Sequence, residues 1–544
     1  MRLINVKAFL DREELIREGK RVDRRAKVLE FGDDEATEYV VLSHRWIEQE
    51  VDYNEVVKLA RMDEEERTQV RQRDGYQKIV QSCEQAKKDG YKWLWVDTCC
   101  IDKRSSAELS EAINSMYRWY KNSRICYAYL HDVHGSSFPI ADDNERYYKL
   151  NGWPEWFSRG WTLQEKIAPW NLQFFNKDWY PIGDKRTLSP ILEAVTGVPP
   201  GILKGGLSSN RPCVAQIMSW AANRTTTRVE DRAYSLMGLL DVNMPMLYGE
   251  GKKAFHRLQL EIIRTSNDQS IFAWGCDSIS VRTGSILADE PSFFRGCDRM
   301  ELMNQNEFIE YLKKYIPEEE LPSTEDDRLS TFLITNRGIQ IWLFLRPTLV
   351  SDSVFQALLP CRSDSSGPPV AIRLASWESN YYRDVGYTWR GGPTWTAYQD
   401  QRMQVPRLEL RHVYLRYQDN DTPHCNSTFE IDDSAILKKA FASSAMWPQG
   451  SNTGNTVTLS TTDPLCVKRY SCRQKYHFTV SFGHWFDQNW IYVDCEQPGT
   501  ILLIPHDLMP KRVSIYAQSM IKARAGAGTS CRIYRILKQM TGFR

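Results

Sequence analysis

The stretch WLWVDTCCIDK, Trp93 to Lys103, ends a short apolar run with side chains that can ionise or hydrogen-bond: Asp97, Thr98, Cys99, Cys100, Asp102 and Lys103. Two adjacent thiols suggest a nucleophile. A thiol needs a base, and His44, just beyond the apolar run Tyr39–Leu42, would supply one if the two runs are neighbouring strands. The spacing weakens this reading, because neighbours on a strand point to opposite sides and at most one thiol faces any pocket. Cysteine is also among the most buried residue types. A zinc site would need four convergent ligands, and neither these cysteines nor the cluster His131-Asp132-Val133-His134 has the spacing.

Glu165 is the sharper candidate. It closes the segment WFSRGWTLQE, residues 156–165, which Pro169 stops soon after. A carboxylate beside Trp161 and Arg159 could stabilise the positive charge that develops at an anomeric carbon when a glycosidic bond breaks. If Ser158 caps a short helix, Gly160, Leu163 and Ile167 share one face and Trp161 and Glu165 lie on another. The ordinary reading, which composition and spacing alone favour, is a solvent-facing glutamate paired with Arg159 or Lys166.

Other motifs carry less. Arg224, Arg228 and Arg232 with Glu230 and Asp231 allow an anion site, although such mixtures commonly form ion-pair networks. Gly249-Glu250-Gly251-Lys252-Lys253 loosely resembles a phosphate-binding loop, but position 246 is Met246 and no Ser or Thr follows the lysine. No strand candidate carries GxGxxG, so hydride transfer on a dinucleotide fold has no support. Gly526 and Gly528 read as a turn in a basic tail.

The elements that would position these groups alternate. Strand candidates lie at Tyr39–Leu42, Trp93–Asp97, Ile125–Leu130 and Leu172–Phe175. Between the first two, residues 49–74 are highly charged and read as a surface insertion. Tyr76, Ile79, Val80, Cys83 and Ala86 then recur at helical spacing, with Gly90 as a C-cap. Ser105 and Glu108 match a capping box ahead of the stripe Leu109, Ala112, Ile113, Met116 and Tyr120. Strand, helix, strand, helix, strand predicts an α/β domain with a parallel sheet, whose carboxyl edge is where ligands bind. Residues 211–275 read as mainly helical. Beyond about residue 280, runs at Thr331–Thr335, Ile339–Leu345, Leu408–Tyr417, Tyr476–Phe482 and Ile501–Ile504 predict a mainly β part, sandwich- or barrel-like. The expected domains are 1–205 (α/β), 206–280 (a helical extension) and 281–544 (β-rich).

Composition bounds the class. With 544 residues, two or three domains are expected. Lys+Arg 70 against Asp+Glu 69 gives a net charge of +1, so no overall field selects nucleic acid or an anionic membrane. Eighteen tryptophans allow large cores and stacking surfaces. No apolar stretch approaches the roughly 20 residues of a membrane span, and MRLINVKAFLDREEL lacks the apolar core of a secretion signal. Thirteen cysteines, an odd count without CxxC spacing, fit a reducing cytoplasm.

Several long motifs together resemble the fungal heterokaryon-incompatibility (HET) domain proteins. They are YVVLSHRW (39–46), WLWVDTCCIDK (93–103), SSAELSEAINSMYRWY (105–120), WFSRGWTLQE (156–165) and the block from Met218 to Ile263. The resemblance covers about residues 1–275 and implies a role in non-self recognition and regulated cell death. It further implies a remote relation to TIR domains, with a flavodoxin-like sheet, and through them cleavage of NAD at the nicotinamide–ribose bond. On that relation Glu165 is the catalytic carboxylate. Trp46 or Trp161 would stack on a ring, Ser43, Arg45 and Asp97 line the pocket, and Arg45 or Arg159 face phosphate. His44, Cys100 and Asp102 would complete the floor and rim. The resemblance implies no metal and no cofactor beyond NAD as substrate, and activity on homo-oligomeric assembly. A non-enzymatic module that signals by oligomerising and binding a partner is the alternative it leaves open.

Overall fold

The computed structural model of the chain describes residues 1–275 except 21, 24–26, 148–151 and 208–210, and residues 282–385 except 324–325, 349–350 and 378–379. It also describes 407–417 and the strand segments 427–432, 441–447, 452–453, 456–459, 465–472, 477–485, 488–496 and 530–532. Two compact units result. One comprises Met1–Asp277, Leu287–Phe308 and Pro360–Val370, and the other Ser278–Ile286, Ile309–Leu359 and Ala371–Arg544.

The first unit is organised by a sheet of strands β1 (Arg2–Asn5), β2 (Leu29–Phe31), β3 (Val40–His44), β4 (Trp93–Val96), β5 (Cys126–Tyr129), β6 (Leu172–Phe175) and β7 (Pro181–Asp184). Their order is β2-β1-β4-β3-β5-β6-β7. The inner strands β4, β3, β5 and β6 are parallel, in register from Val41 to Trp95 and to Cys126. The antiparallel strands β1, β2 and β7 flank them. The inner strands are the apolar runs legible in the sequence. The flanking ones mix Arg2, Asn5, Glu30, Pro181 and Asp184 with apolar residues and gave no such signal. From β3 the chain crosses to β4 on one side and then to β5 on the other. Such a reversal opens a crevice at the carboxyl ends of the strands, beyond Ser43 and His44.

Helices cover both faces, as a parallel sheet requires. Trp95 on β4 is fully buried edge-on against Trp119 and Tyr120 of the helix Ser106–Asn122, at 5.5 and 5.7 Å between ring centroids. The helix Asp74–Lys88 packs on β4 and, through Tyr76, on Phe9 of the helix Val6–Arg17. Only half of the expected capping box forms. The Ser105 hydroxyl accepts from Glu108 N, but the Glu108 carboxylate turns to Asp102 N at 2.9 Å and to the Arg2 guanidinium, whose charge favours this arrangement. Residues 49–74, the expected surface insertion, have regular structure. They form helices Tyr53–Lys58 and Glu64–Arg71, with Val51, Val56, Leu59 and Val70 buried and the charges spent on caps at Asp52 and Asp63.

The later part of this unit is helical, with Val214–Ala221, Asp231–Tyr234, Met237–Leu240 and Lys253–Thr265. The first of these is capped from a distance: Asp268 Oδ2 accepts from Val214 N and Ser270 Oγ from Ala215 N. Gln259, fully buried, exchanges both amide hydrogen bonds with the Ala288 backbone.

The second unit is mainly β. Ile339–Thr348 pairs antiparallel with Glu409–Leu415 over seven residues and with Phe332–Ile334, and Asn380–Val385 pairs with Arg282–Gly284. A separate antiparallel sheet runs Phe441–Trp447, Leu465–Cys472, His477–Trp485, Gln488–Glu496. The expected strand at Ile501–Ile504 and turn at Gly526 and Gly528 lie outside the described residues. Among the described residues no helix is long and apolar enough to cross a membrane.

Gly238 sets how closely Met237–Leu240 approaches the sheet-covering helix. A Cβ there would sit 2.2 Å from Tyr117 Cβ and 3.3 Å from Gln164 Oε1. Gly238→Ala is expected to destabilise the protein by about 1–3 kcal/mol through overpacking, read as a lower denaturation midpoint at unchanged slope.

Candidate functional site

Ser43 stands next to last in β3, fully buried, and it links two other elements. Its hydroxyl donates to Glu165 Oε2 at 2.5 Å and accepts from Trp156 Nε1 at 2.9 Å. Glu165 sits on the helix Thr162–Ile167, every residue of which is buried. That helix is fixed at both ends. Before it, Gly160 N donates to Thr225 O and Thr225 N to Ser158 O, like a short piece of sheet. Thr162 Oγ1 donates back to Trp156 O at 2.6 Å. After it, Lys185 Nζ donates to the orphaned carbonyls of Lys166, Ile167 and Pro169. Ser158 is therefore not the cap expected from the sequence; its hydroxyl turns to Glu155 O.

Glu165 is only 4% exposed, so it is not the solvent-facing glutamate that spacing alone favoured. Neither expected cation pairs with it. Arg159 donates to Thr227 Oγ1 at 3.0 Å, and the fully buried Lys166 Nζ has no hydrogen-bond partner among the described residues. Burial, with the charges of Arg224 and Lys185, holds the Lys166 pKa well below the usual lysine value. Burial is also the main force on Glu165, and the Asp97 charge adds to it. Hydrogen bonds from Ser43 and Tyr120 and the Arg224 charge oppose them only in part, so the Glu165 pKa is pushed up to about 8. Asp97 goes the other way. Burial raises it, but hydrogen bonds from His44 and Trp46 and the charges of His44 and Lys103 more than offset this and hold it below the ordinary carboxylate value. Two carboxyls near one sheet edge thus carry opposite proton preferences, the pattern that divides acid from base at a site.

Around them lies a polar rim. His44 Nε2 donates to Asp97 Oδ1 at 3.1 Å and Trp46 Nε1 to Asp97 Oδ2 at 2.8 Å. Trp46 is 47% exposed, and Lys103 Nζ stands 3.8 Å from its ring centroid. The loop behind Trp46 is pressed onto Gly75, where a Cβ would meet Gln49 O at 2.4 Å. Arg45 pairs with Glu155 and lies 3.3 Å from His131 Nε2. The structure thus brings Ser43, His44, Trp46, Asp97 and Glu165 together, with Arg45 alongside. Arg159 and Trp161 belong to a neighbouring patch. There Arg159 bonds Thr227, and Trp161 is a hydrogen-bond partner of Asp231. Cys100 and Asp102 join neither group. Cys100 is 2% exposed with its sulfur accepting from Val96 N, and Asp102 is taken by Arg104 through two charged hydrogen bonds. Burial raises the neighbouring Cys83 thiol well above its usual value, as befits an inert core cysteine.

Sequence reasoning gave no role at the site to Tyr120, read as part of a buried helical stripe, or to Trp156, which only opened a motif; their hydroxyl and indole N–H, which need a partner when buried, could have marked them. The glycine loop that resembles a phosphate cradle is already filled. Glu230 Oε1 accepts from Gly249 N at 2.8 Å and Gly251 N at 3.0 Å.

Residues 39–152 match the family "Heterokaryon incompatibility protein (HET)", and residues 253–282 match a domain of unknown function (DUF8212). The chain is 44% identical over 227 residues to the Vegetative incompatibility protein HET-E-1 of Podospora anserina, a match that takes in 41% of this chain and 16% of that protein. No solved structure matches. The similarity to the HET family is thus to residues 39–152, and Glu165 lies just past the end of that match.

The proton on Glu165 has a consequence for stability. Its ordinary value is 4.5 and its folded value about 8, so between them the folded state binds the extra proton. The stability it confers is full below about pH 4.5 and is lost as pH rises through 8. Glu165→Gln cannot ionise, so its stability should gain on wild type across that window. The gain is a few kcal/mol at most, since one unit is about 1.4 kcal/mol. Denaturation midpoints of both proteins at pH 5 and pH 9 measure it; parallel pH dependence would exclude a buried neutral carboxyl.

Proposed function

We propose that this HET domain acts in fungal non-self recognition and regulated cell death, and that it does so by cleaving the nicotinamide–ribose bond of NAD. The observation that carries the reading is Glu165, a buried carboxyl hydrogen-bonded to Ser43 where the strand order reverses. The order of the parallel strands, β4-β3-β5-β6, follows that of flavodoxin-like sheets and supports the TIR-like relation.

In this reading the C1′–N bond breaks with its electron pair leaving on nicotinamide, and the ribose becomes oxocarbenium-like. The ionised Glu165 stabilises that cation. Water adds to C1′ and releases a proton, giving ADP-ribose. Trp46, exposed and held by Asp97, offers a stacking face, and Arg45 a partner for phosphate. Because Glu165 is buried and protonated at neutral pH here, the described state is a resting one, and assembly with further copies opens the site. The same burial favours a second reading, in which Ser43 and Glu165 are structural and the domain signals by oligomerising and binding a partner without catalysis.

NAD consumption separates the two. Under conditions that drive assembly, wild type should turn over NAD and Glu165→Gln should not, with assembly intact in both. Because opening the site rehydrates Glu165 and the carboxylate is the active form, turnover on assembly should rise with pH through a value below the 8 of the buried resting state. Equal NAD levels with both proteins while cell death persists would sink the enzymatic reading.

A further inference from the structure

We propose that a cavity of about 220 Å³ behind the Glu165 helix, lined by Phe157, Trp220, Asn223, Arg224, Arg295 and Asp298, binds a compact phosphate monoester and acts on that helix through Arg224. The proposal concerns binding and stands apart from whether NAD is cleaved.

The donors in this cavity exceed what the protein itself satisfies. Trp220 is 3% exposed, and its indole N–H has no partner among the described residues. Arg295 uses Nε on Asn223 Oδ1 at 3.1 Å, which leaves the Arg295 fork and the Asn223 amide nitrogen to point elsewhere. Arg224 is the second guanidinium. Burial presses its pKa down to about 9, against the pull of Glu165, so it remains a cation at neutral pH. Two guanidiniums against the single carboxylate of Asp298 leave the cavity with a net positive charge.

The guanidiniums of Arg224 and Arg295 and the Asn223 amide, all in the cavity lining, supply donors that suit the three terminal oxygens of a phosphate better than the two of a carboxylate. Asp298 and the Thr196 and Ser219 hydroxyls, also in the wall, can accept from sugar hydroxyls. The volume falls below the roughly 300–1,000 Å³ of pockets that take drug-sized ligands, which favours a sugar monophosphate over a dinucleotide.

Arg224 connects the cavity to the site. Its Nη1 donates to Arg159 O at 2.7 Å and to Thr162 Oγ1 at 3.0 Å, the residues that open the helix bearing Glu165. A phosphate that claims part of this guanidinium either tightens that clamp or draws it away, and in both cases it changes the opening of segment 159–165.

Ribose 5-phosphate is a suitable probe on the full chain, with ribose and acetate as comparators. Calorimetry should show saturable binding of the sugar phosphate and none of either comparator. Arg295→Gln, on an exposed side chain that folding does not need, should weaken binding about tenfold. Amide exchange over residues 159–165 should change on binding. In Arg224→Lys, which keeps the charge and loses the fork, that change should vanish while some binding remains. Absence of binding, equal binding of ribose, or affinity untouched by Arg295→Gln would overturn the site. Binding with unchanged exchange over 159–165 would overturn the link to Glu165.

Discussion

The hydrogen bond from Ser43 to Glu165 joins the carboxyl end of β3 to a helix with no exposed face, across 122 residues of chain. Its energetics decide the state of the site. An ionised carboxylate placed here would lose several kcal/mol of hydration that one serine and one tyrosine cannot restore. A neutral carboxyl needs only those hydrogen bonds. Burial therefore selects the proton. Asp97, nearer solvent and served by His44, Trp46 and Lys103, keeps its charge and reinforces the choice at Glu165.

Much of the first unit exists to keep that bond dry and in register. Parallel pairing of β3 with β4 and β5 places Ser43 level with Ala128, and the aromatic layer of Trp95, Trp119 and Tyr120 closes one face over it. Trp156 reaches Ser43 from the segment leading into the helix, so its indole closes a neighbouring face and also orients the hydroxyl. The helical extension adds the remaining wall. Thr225 pairs with Ser158 and Gly160, and Arg224 holds the carbonyl and hydroxyl at the helix start. The segment carrying Glu165 is thus shaped as much by residues 224–226 as by the sheet.

The parts of this arrangement legible in the sequence are those governed by local pattern. Buried parallel strands are continuous apolar runs, so β3 to β6 could be read within a residue or two, and the stripes of the helices Asp74–Lys88 and Ser106–Asn122 followed from period 3.6. The flanking strands were not legible, because a strand with polar residues has no run to see. Glu165 was legible as a candidate, but the solvent-facing placement that spacing favoured for it does not hold. Amphipathic reasoning assumes one wet face, and Thr162–Ile167 has none. The charge of residues 49–74 hid the helices Tyr53–Lys58 and Glu64–Arg71. Caps and ion pairs occupy those side chains, while the few apolar ones, Val51, Val56, Leu59 and Val70, carry the packing. Cys100 and Asp102 drew attention as reactive types at a strand end, but the backbone turns immediately after Val96 and sends one inward and the other to Arg104.

Arg224 shows how such a site can be both buried and responsive. Its guanidinium lies close enough to Glu165 for each charge to move the other's pKa, yet its hydrogen bonds go to the helix start and to Trp220 O, not to the carboxyl. A direct Arg–Glu pair would have ionised Glu165 and fixed it. Held one step away, the cation lowers the cost of ionisation without removing it. Small rearrangements of residues 159–162 then change the electrostatic balance at Glu165 more than they change its packing. A carboxyl poised in this way is sensitive to whatever moves the helix start.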